Sequence, residues 1–373
     1  MVFNTFGRTG VEEVYLKRNL KRNRRQQQFA ENEDFFCDLN GPGKRSETIP
    51  DSIHQLRPGD IDIIGAMGDS LTAGNGGMAT NILHIAIENR GITSPIGGQG
   101  TWRQFLTIPN ILKLYNPKLY GYSLTDSHSI QNESRFNVAE MGAMSRDTPY
   151  QAHKLIQRME SNPNVNIKKH WKMVFYLFGA NDFCMDMCYV EDPMKIVEKH
   201  EKELIETLRI LRDNLPRTMV NVIASPSMKV LIKLRGRPAE CVAAHHIECP
   251  CFFSSARRRF QKLYLRTIEA WKDVQRKVIN REEFHNKTDF TVNLQPFTDE
   301  LTIPQDKYGN TDFSYMSTDC FHFSQKGYAR ATNALWNNLL EPFNNKTRMW
   351  KKEFEEFKCP TEEQPFIATK MNS

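Results

Sequence analysis

Five short apolar runs punctuate the chain, at residues 61–67, 135–139, 172–178, 219–224 and 289–294. Most are rich in Val, Ile, Phe or Met and are bounded by Gly, Pro, Asn or Asp, the pattern of buried strands. Between them the apolar positions recur at helical spacing. Residues 100–115 predict a short helix, interrupted or ended near Pro109. A second begins at Pro149, in the first turn after Thr148 as N-cap, and runs to residue 159. The span 193–214 repeats this device, with Asp192 before Pro193 and Pro216 beyond its end. Residues 252–284 carry a stripe of Phe253, Phe260, Tyr264, Ile268, Trp271 and Val274, which reads as core rather than as a cofactor site. A last helix over 324–340 puts Tyr328, Ala331, Leu335 and Leu339 on one face. Strands alternating with helices imply an α/β domain with a parallel sheet covered on both faces. Ligands of such sheets bind at the carboxyl ends of the strands, so the loops after each apolar run are the places to look for chemistry.

Length and composition narrow this to one domain. The chain has 373 residues, 39% of them hydrophobic and 25% charged, with no internal repeat and no low-complexity segment. That suffices for a sizeable core. The expected domain covers 36–360, between a basic tail at 1–35 and a loose tail at 361–373.

Charge changes the picture only at the N-terminus. Seven basic residues (Arg8, Lys17, Arg18, Lys21, Arg22, Arg24 and Arg25) stand there against Glu12 and Glu13, and account for +5 of the net +6. The tail fits a solvated leader or a contact with an anionic membrane surface. Arg22-Asn23-Arg24-Arg25 also looks like a basic processing site. No basic surface with interleaved aromatics follows, so nucleic acid is not an expected partner.

No apolar run is long enough to span a bilayer; the longest is 173–178, continuing into Gly179 and Ala180. Residues 1–8 lack the apolar core of a signal peptide. Eight cysteines (Cys37, Cys184, Cys188, Cys241, Cys249, Cys251, Cys320 and Cys359) and three Asn-x-Ser/Thr sequons at Asn132, Asn286 and Asn345 nevertheless point to a secreted or extracellular membrane-associated protein. Disulfides, free thiols and zinc all compete for the cysteines. Zinc is disfavoured because Cys184-x-x-x-Cys188 and Cys249-Pro250-Cys251 lack ligand spacing, and His245 and His246 are adjacent. The pairing is not fixed by the sequence.

Four loops carry candidate chemistry. After the first strand comes Gly68-Asp69-Ser70-Leu71-Thr72-Ala73-Gly74-Asn75-Gly76. A serine on a tight strand-to-helix turn exposes its hydroxyl and its amide at the crevice, although the same sequence also suits a capping serine in a glycine-rich turn. Neither a phosphate-binding fingerprint nor G-x-S-x-G is present. Glu140-Met141-Gly142-Ala143-Met144-Ser145 follows the second run, where the Gly142 amide can meet an oxyanion. Gly179-Ala180-Asn181-Asp182-Phe183-Cys184 follows the third, with the Asn181 amide and the Asp182 carboxylate side by side. Before the last helix, Ser317-Thr318-Asp319-Cys320-Phe321-His322 sets a carboxylate three residues ahead of a histidine. In a turn that spacing brings Asp319 to Nδ1 of His322 and leaves Nε2 as a base. Serine is a poor nucleophile without such a base. Together the loops supply a nucleophile, two oxyanion donors and an oriented base, with Asp319 or Asp182 as the orienting acid.

These four blocks resemble the GDSL or SGNH hydrolases, named for the residues that stand here as Ser70, Gly142, Asn181 and His322. The resemblance is closest to the phospholipase B branch. It extends to Leu56-Arg57-Pro58-Gly59-Asp60-Ile61, Asn137-Val138-Ala139, Asp319-Cys320-Phe321-His322-Phe323-Ser324 and Cys359-Pro360, and covers about residues 36–360. It implies a three-layer α/β/α, flavodoxin-like fold with a five-stranded parallel sheet, no metal and no organic cofactor. It further implies hydrolysis of fatty-acyl esters of phospholipids and lysophospholipids, through an acyl-enzyme at Ser70. Another ester as substrate, or an inactive lipid-binding member of the fold, are the alternatives. Two departures stand out: Glu140-Met141 replaces the usual apolar and small pair ahead of the glycine, and the chain holds one such domain without a C-terminal anchor.

Overall fold

A computed structural model describes residues 24–373. The basic residues from Arg8 to Arg22 lie outside the described residues. Four strands, β1 (Ile63–Gly68), β2 (Lys172–Leu177), β3 (Thr218–Ile223) and β4 (Phe290–Gln295), form a parallel sheet in the order β1-β2-β3-β4. Side chains alternate across it, as the two-residue period of a strand requires. Ile64, Ala66, Met173, Phe175 and Met219 enter one apolar cluster. Ile63, Met67, Val174, Tyr176, Val220, Val222 and Val292 enter the other.

The second cluster is closed by helices α3 (Thr148–Glu160) and α4 (Met194–Asn214), through Leu155, Met159, Leu204, Leu208 and Leu211. The first is closed by α2 (Ile108–Tyr115) and α7 (Gln325–Leu340), through Ile111, Leu112, Leu335 and Leu339. Helix α6 (Gln261–Ile279) contributes to both. The result is the three-layer α/β/α arrangement expected.

The expected fifth strand is not formed. Residues 135–139 touch β1 at a single bridge, between Asn137 and Ala66. The reason is local. At the bridge, Ala66 donates to the Phe136 carbonyl and accepts the Val138 amide. To extend the ladder the Gly68 amide would have to meet the Val138 carbonyl and the Ile64 amide that of Ser134, but Gly68 donates to the Gln151 side chain and Ile64 to the Tyr120 carbonyl. Pro109 was expected to interrupt or end a helix; instead it stands in the first turn of α2, where its missing N–H costs nothing. The span 252–284 is broken by Ser254–Arg257, so that α6 starts only at Gln261. Helix α5 (Ala239–Glu248) and the four-residue α1 (Ser70–Ala73) complete the elements that matter for the site.

Both expected tails are in part packed onto the domain. Gln26 is fully buried, accepting the Leu106 amide and donating to the Trp102 carbonyl. Phe29, Phe35 and Phe36 surround Trp102 at centroid distances of 4.9, 5.2 and 5.4 Å. At the other end, the Ile367 amide donates to Leu56 and that of Ala368 to Leu339. Apolar side chains in both segments fill grooves that the helices leave open, which charge and length alone did not reveal. All eight cysteines are paired: Cys37–Cys359, Cys184–Cys249, Cys188–Cys251 and Cys241–Cys320.

Candidate active site

The carboxyl end of β1 turns directly into α1. Asp69 is the N-cap, its side chain accepting the Leu71 amide at 2.9 Å, and Ser70 is the first helical residue. Gly74 ends the helix at φ 86°, where an added Cβ would meet the Asn89 carbonyl oxygen at 2.6 Å. A glycine is therefore required to turn the chain back so soon. Ser70 is buried, and its amide donates to no group among the described residues.

The loop before α7 faces it. Ser70 Oγ lies 2.8 Å from Nε2 of His322, and Nδ1 of His322 lies 2.6 Å from Oδ2 of Asp319. The other Asp319 oxygen accepts the amides of Phe321 at 2.9 Å and His322 at 3.0 Å. The turn thus fixes the carboxylate, and the carboxylate fixes the ring as the tautomer that leaves Nε2 open to the serine proton. Burial opposes charge on both groups. For His322 it is outweighed by the negative charge of Asp319, Glu248 and Asp69, which holds the ring above its ordinary value. For Asp319, burial is outweighed by His322 and the two amides, which keep the carboxyl below its ordinary range.

The remaining blocks converge on the same strand end. The Glu140 amide donates to the Gly68 carbonyl, and the Asn75 side chain contacts Met141 Sδ at 3.2 Å, which seats the Gly142 loop beside α1. Gly142 has φ 78°, a Cβ there would meet nothing within 4 Å, and its amide is unbonded among the described residues. Asn181 donates one N–H to the Ala143 carbonyl at 2.9 Å, tying its loop to the Gly142 loop and leaving a second N–H on the same nitrogen. Asp182 is elsewhere engaged. Both of its oxygens accept the Ser145 amide, at 3.2 and 3.1 Å, so it is not the acid beside His322.

The family model of the GDSL-like lipase/acylhydrolases matches residues 64–335. The chain belongs to that family. It is 36% identical over 346 residues to "Phospholipase B1, membrane-associated" of Homo sapiens, and 34% identical over 343 residues to the protein of that name from Rattus norvegicus. Each match covers 91% of this chain, and the chain spans only 23% of the length of either relative.

Within this GDSL family member, three residues shape the site without having been singled out in the sequence. Asp69 is buried with Oδ2 unpartnered among the described residues, and burial pushes its carboxyl up to about 6. Its place as a residue of the N-cap type ahead of a short helix was a usable signal. Arg90 is fully buried and holds Glu88 together with the carbonyls of Ser127, Asn137 and Ala139; nothing in Asn89-Arg90-Gly91 announces that. Glu248 reaches the site from more than 70 residues away along the chain. Glu248, Asp319 and His322 bring three ligand-type atoms within 4.8 Å of one another. Both ring nitrogens of His322 are already engaged, by Asp319 and Ser70, so the ring has no free lone pair for a cation.

Proposed function

We propose that this protein is a serine ester hydrolase that cleaves the fatty-acyl esters of phospholipids and lysophospholipids. The observation that carries the reading is the continuous hydrogen-bond chain from Ser70 through His322 to Asp319. His322 takes the Ser70 proton as Oγ attacks the acyl carbonyl carbon. The negative charge that develops on the carbonyl oxygen is met by the amides of Ser70 and Gly142 and by the free N–H of Asn181. As the tetrahedral intermediate collapses, His322 gives its proton to the leaving alcohol and an acyl-serine remains. Water, deprotonated by His322, then attacks the acyl carbon; the fatty acid departs as His322 returns the proton to Ser70 Oγ. Asp319 stays ionised throughout and stabilises the imidazolium.

The substrate class draws on the phospholipase B1 relatives. A setting outside the cytosol is supported by the four disulfides and by the exposure of all three sequon asparagines, Asn132, Asn286 and Asn345, as acceptors for glycan. Among the described residues no helix is long and apolar enough to cross a membrane. The reading has the catalytic domain meet its lipid at the membrane surface.

The test is a fluorophosphonate probe followed by a lipid panel. The wild type should be labelled at Ser70 and should release fatty acid from phosphatidylcholine and lysophosphatidylcholine, and Ser70→Ala should do neither. Turnover of p-nitrophenyl acetate without any release from long-chain lipid would overturn the substrate class. A wild type never labelled at Ser70 would overturn the mechanism.

A further inference from the structure

Helix α5 delivers a second carboxyl to the histidine. Glu248 is its last residue, and a carboxyl oxygen of Glu248 lies within 4.8 Å of both an Asp319 oxygen and a His322 ring nitrogen. Glu248 Oε2 is buried and has no hydrogen-bond partner among the described residues. The segment cannot carry this group away. Cys241, near its start, is joined to Cys320, between Asp319 and His322 in the chain. Cys249, directly after Glu248, is joined to Cys184 in the loop that bears Asn181. Between these two tethers, His245 Nε2 lies 2.9 Å from the Cys320 carbonyl. Two disulfides and a hydrogen bond therefore fix α5 to two loops of the site.

An anion at this position is opposed three times over. Its Oε2 is buried, it faces the Asp319 carboxylate, and it stands at the helix C-terminus, which carries the negative end of the dipole. Burial first, and Asp319 second, push the Glu248 carboxyl up to about 8, against the pull of His322. Asp69 also faces His322; Arg24 and His245 face Asp319; Tyr328 faces both Asp69 and Asp319. Arg24 brings a positive charge, its Nε donating to the Met316 carbonyl, while burial lowers the His245 value and favours the neutral ring.

We propose that Glu248 is a positioning residue that sets the basicity of His322 by exchanging protonation states with it through the shared contact with Asp319. The inference rests on the reading of Ser70 as nucleophile and His322 as its base. With both protonated, the first proton to leave on raising the pH comes from either group. The form with ionised Glu248 and imidazolium competes with the forms that catalysis needs, those with a neutral ring. Two coupled sites titrate in two macroscopic steps. Glu248 accordingly holds a proton on His322 to higher pH.

The experiment follows the rate constant of fluorophosphonate labelling at Ser70 from acid to alkaline pH, for the wild type and for Glu248→Gln. Glutamine keeps the shape and a donor but cannot ionise. The labelling rate at the alkaline plateau should stay within about threefold of wild type, since the serine, base and oxyanion donors are intact. The acid limb should move down by at least about half a pH unit and follow one ionisation where the wild type needs two. A Glu248→Gln limb superimposable on that of the wild type would overturn the inference, and a merely structural role for Glu248 predicts that result. The downfield Nδ1 proton of His322 gives a second reading on the wild type alone: two steps in its pH dependence are expected, and a single step is fatal to the idea. Labelling that occurs at Ser70 with one unchanged limb removes Glu248 and leaves the serine mechanism standing. Labelling elsewhere removes both.

Discussion

The Nδ1 atom of His322 stands 2.6 Å from Oδ2 of Asp319, three residues before it in one turn of chain. The other acid that the sequence offered, Asp182, gives both oxygens to the Ser145 amide. Each aspartate should therefore answer differently to asparagine. Asp319→Asn should lower kcat by about ten-thousandfold, the scale seen when a triad acid is neutralised and the ring takes the wrong tautomer. Asp182→Asn should keep labelling at Ser70 within about tenfold, because its carboxyl acts on the backbone and not on the base. Rates of hydrolysis for the two variants, measured side by side, check the assignment.

Asn181 is expected to act on kcat. Removing its amide by Asn181→Ala takes away one of the proposed oxyanion donors, a change that costs about 2.7–4 kcal/mol of transition-state stabilisation, or a hundred- to thousandfold in kcat. The KM for a soluble ester should change little. A loss confined to KM would show that the side chain serves binding instead.

Activity and stability should run in opposite directions around neutral pH. His322 sits above its ordinary 6.5, so it stays protonated, and useless as a base, to a higher pH than a free histidine. Labelling at Ser70 should fall as pH drops through that raised value. The same raised value stabilises the fold fully below 6.5 and ceases to do so as pH rises through it. Asp319, held below its ordinary 3.8, stabilises the fold above that value and loses this effect as pH falls through its lowered one. Urea midpoints across pH, set beside the labelling curve, test both signs.

Arg90 should be a stability residue with a catalytic echo. It is fully buried against Glu88, which is itself buried, with 2.7 Å between the charges. Arg90→Met leaves that carboxylate with only the exposed His128, at 3.6 Å, and frees the carbonyls of Asn137 and Ala139 ahead of Gly142. Unfolding free energy should drop by about 3–5 kcal/mol, the usual cost of stranding one member of a buried pair. Adding Glu88→Met should restore part of it. If the double variant is no more stable than the single one, stranded charge is not the reason.

The legible part of this molecule was its local part. Hydrophobic runs announced β1 to β4 because strands buried on both faces are largely apolar at consecutive positions. Asp319 and His322 were readable as a pair because only two residues separate them. Proline at the start of a helix was harder to interpret: Pro109 was set near an end and stands at a beginning, since the same missing N–H suits either place. The run at 135–139 looked like a strand by composition. What stops a ladder there is Gln151, which takes the Gly68 amide, and Tyr120, which takes that of Ile64, both from distant parts of the chain. Glu248 was invisible for the same reason, its meaning arising only when α5 is fastened to the loop of His322. The disulfide partners, too, follow from folding and not from spacing.

The bond between Cys37 and Cys359 joins residues 322 positions apart. Almost the whole chain lies inside that single covalent ring. A protease that severs one peptide bond anywhere between the two cysteines releases no fragment. The cut molecule gains only the mass of one water and travels as one species on a non-reducing gel, and only a reductant reveals that it was ever opened.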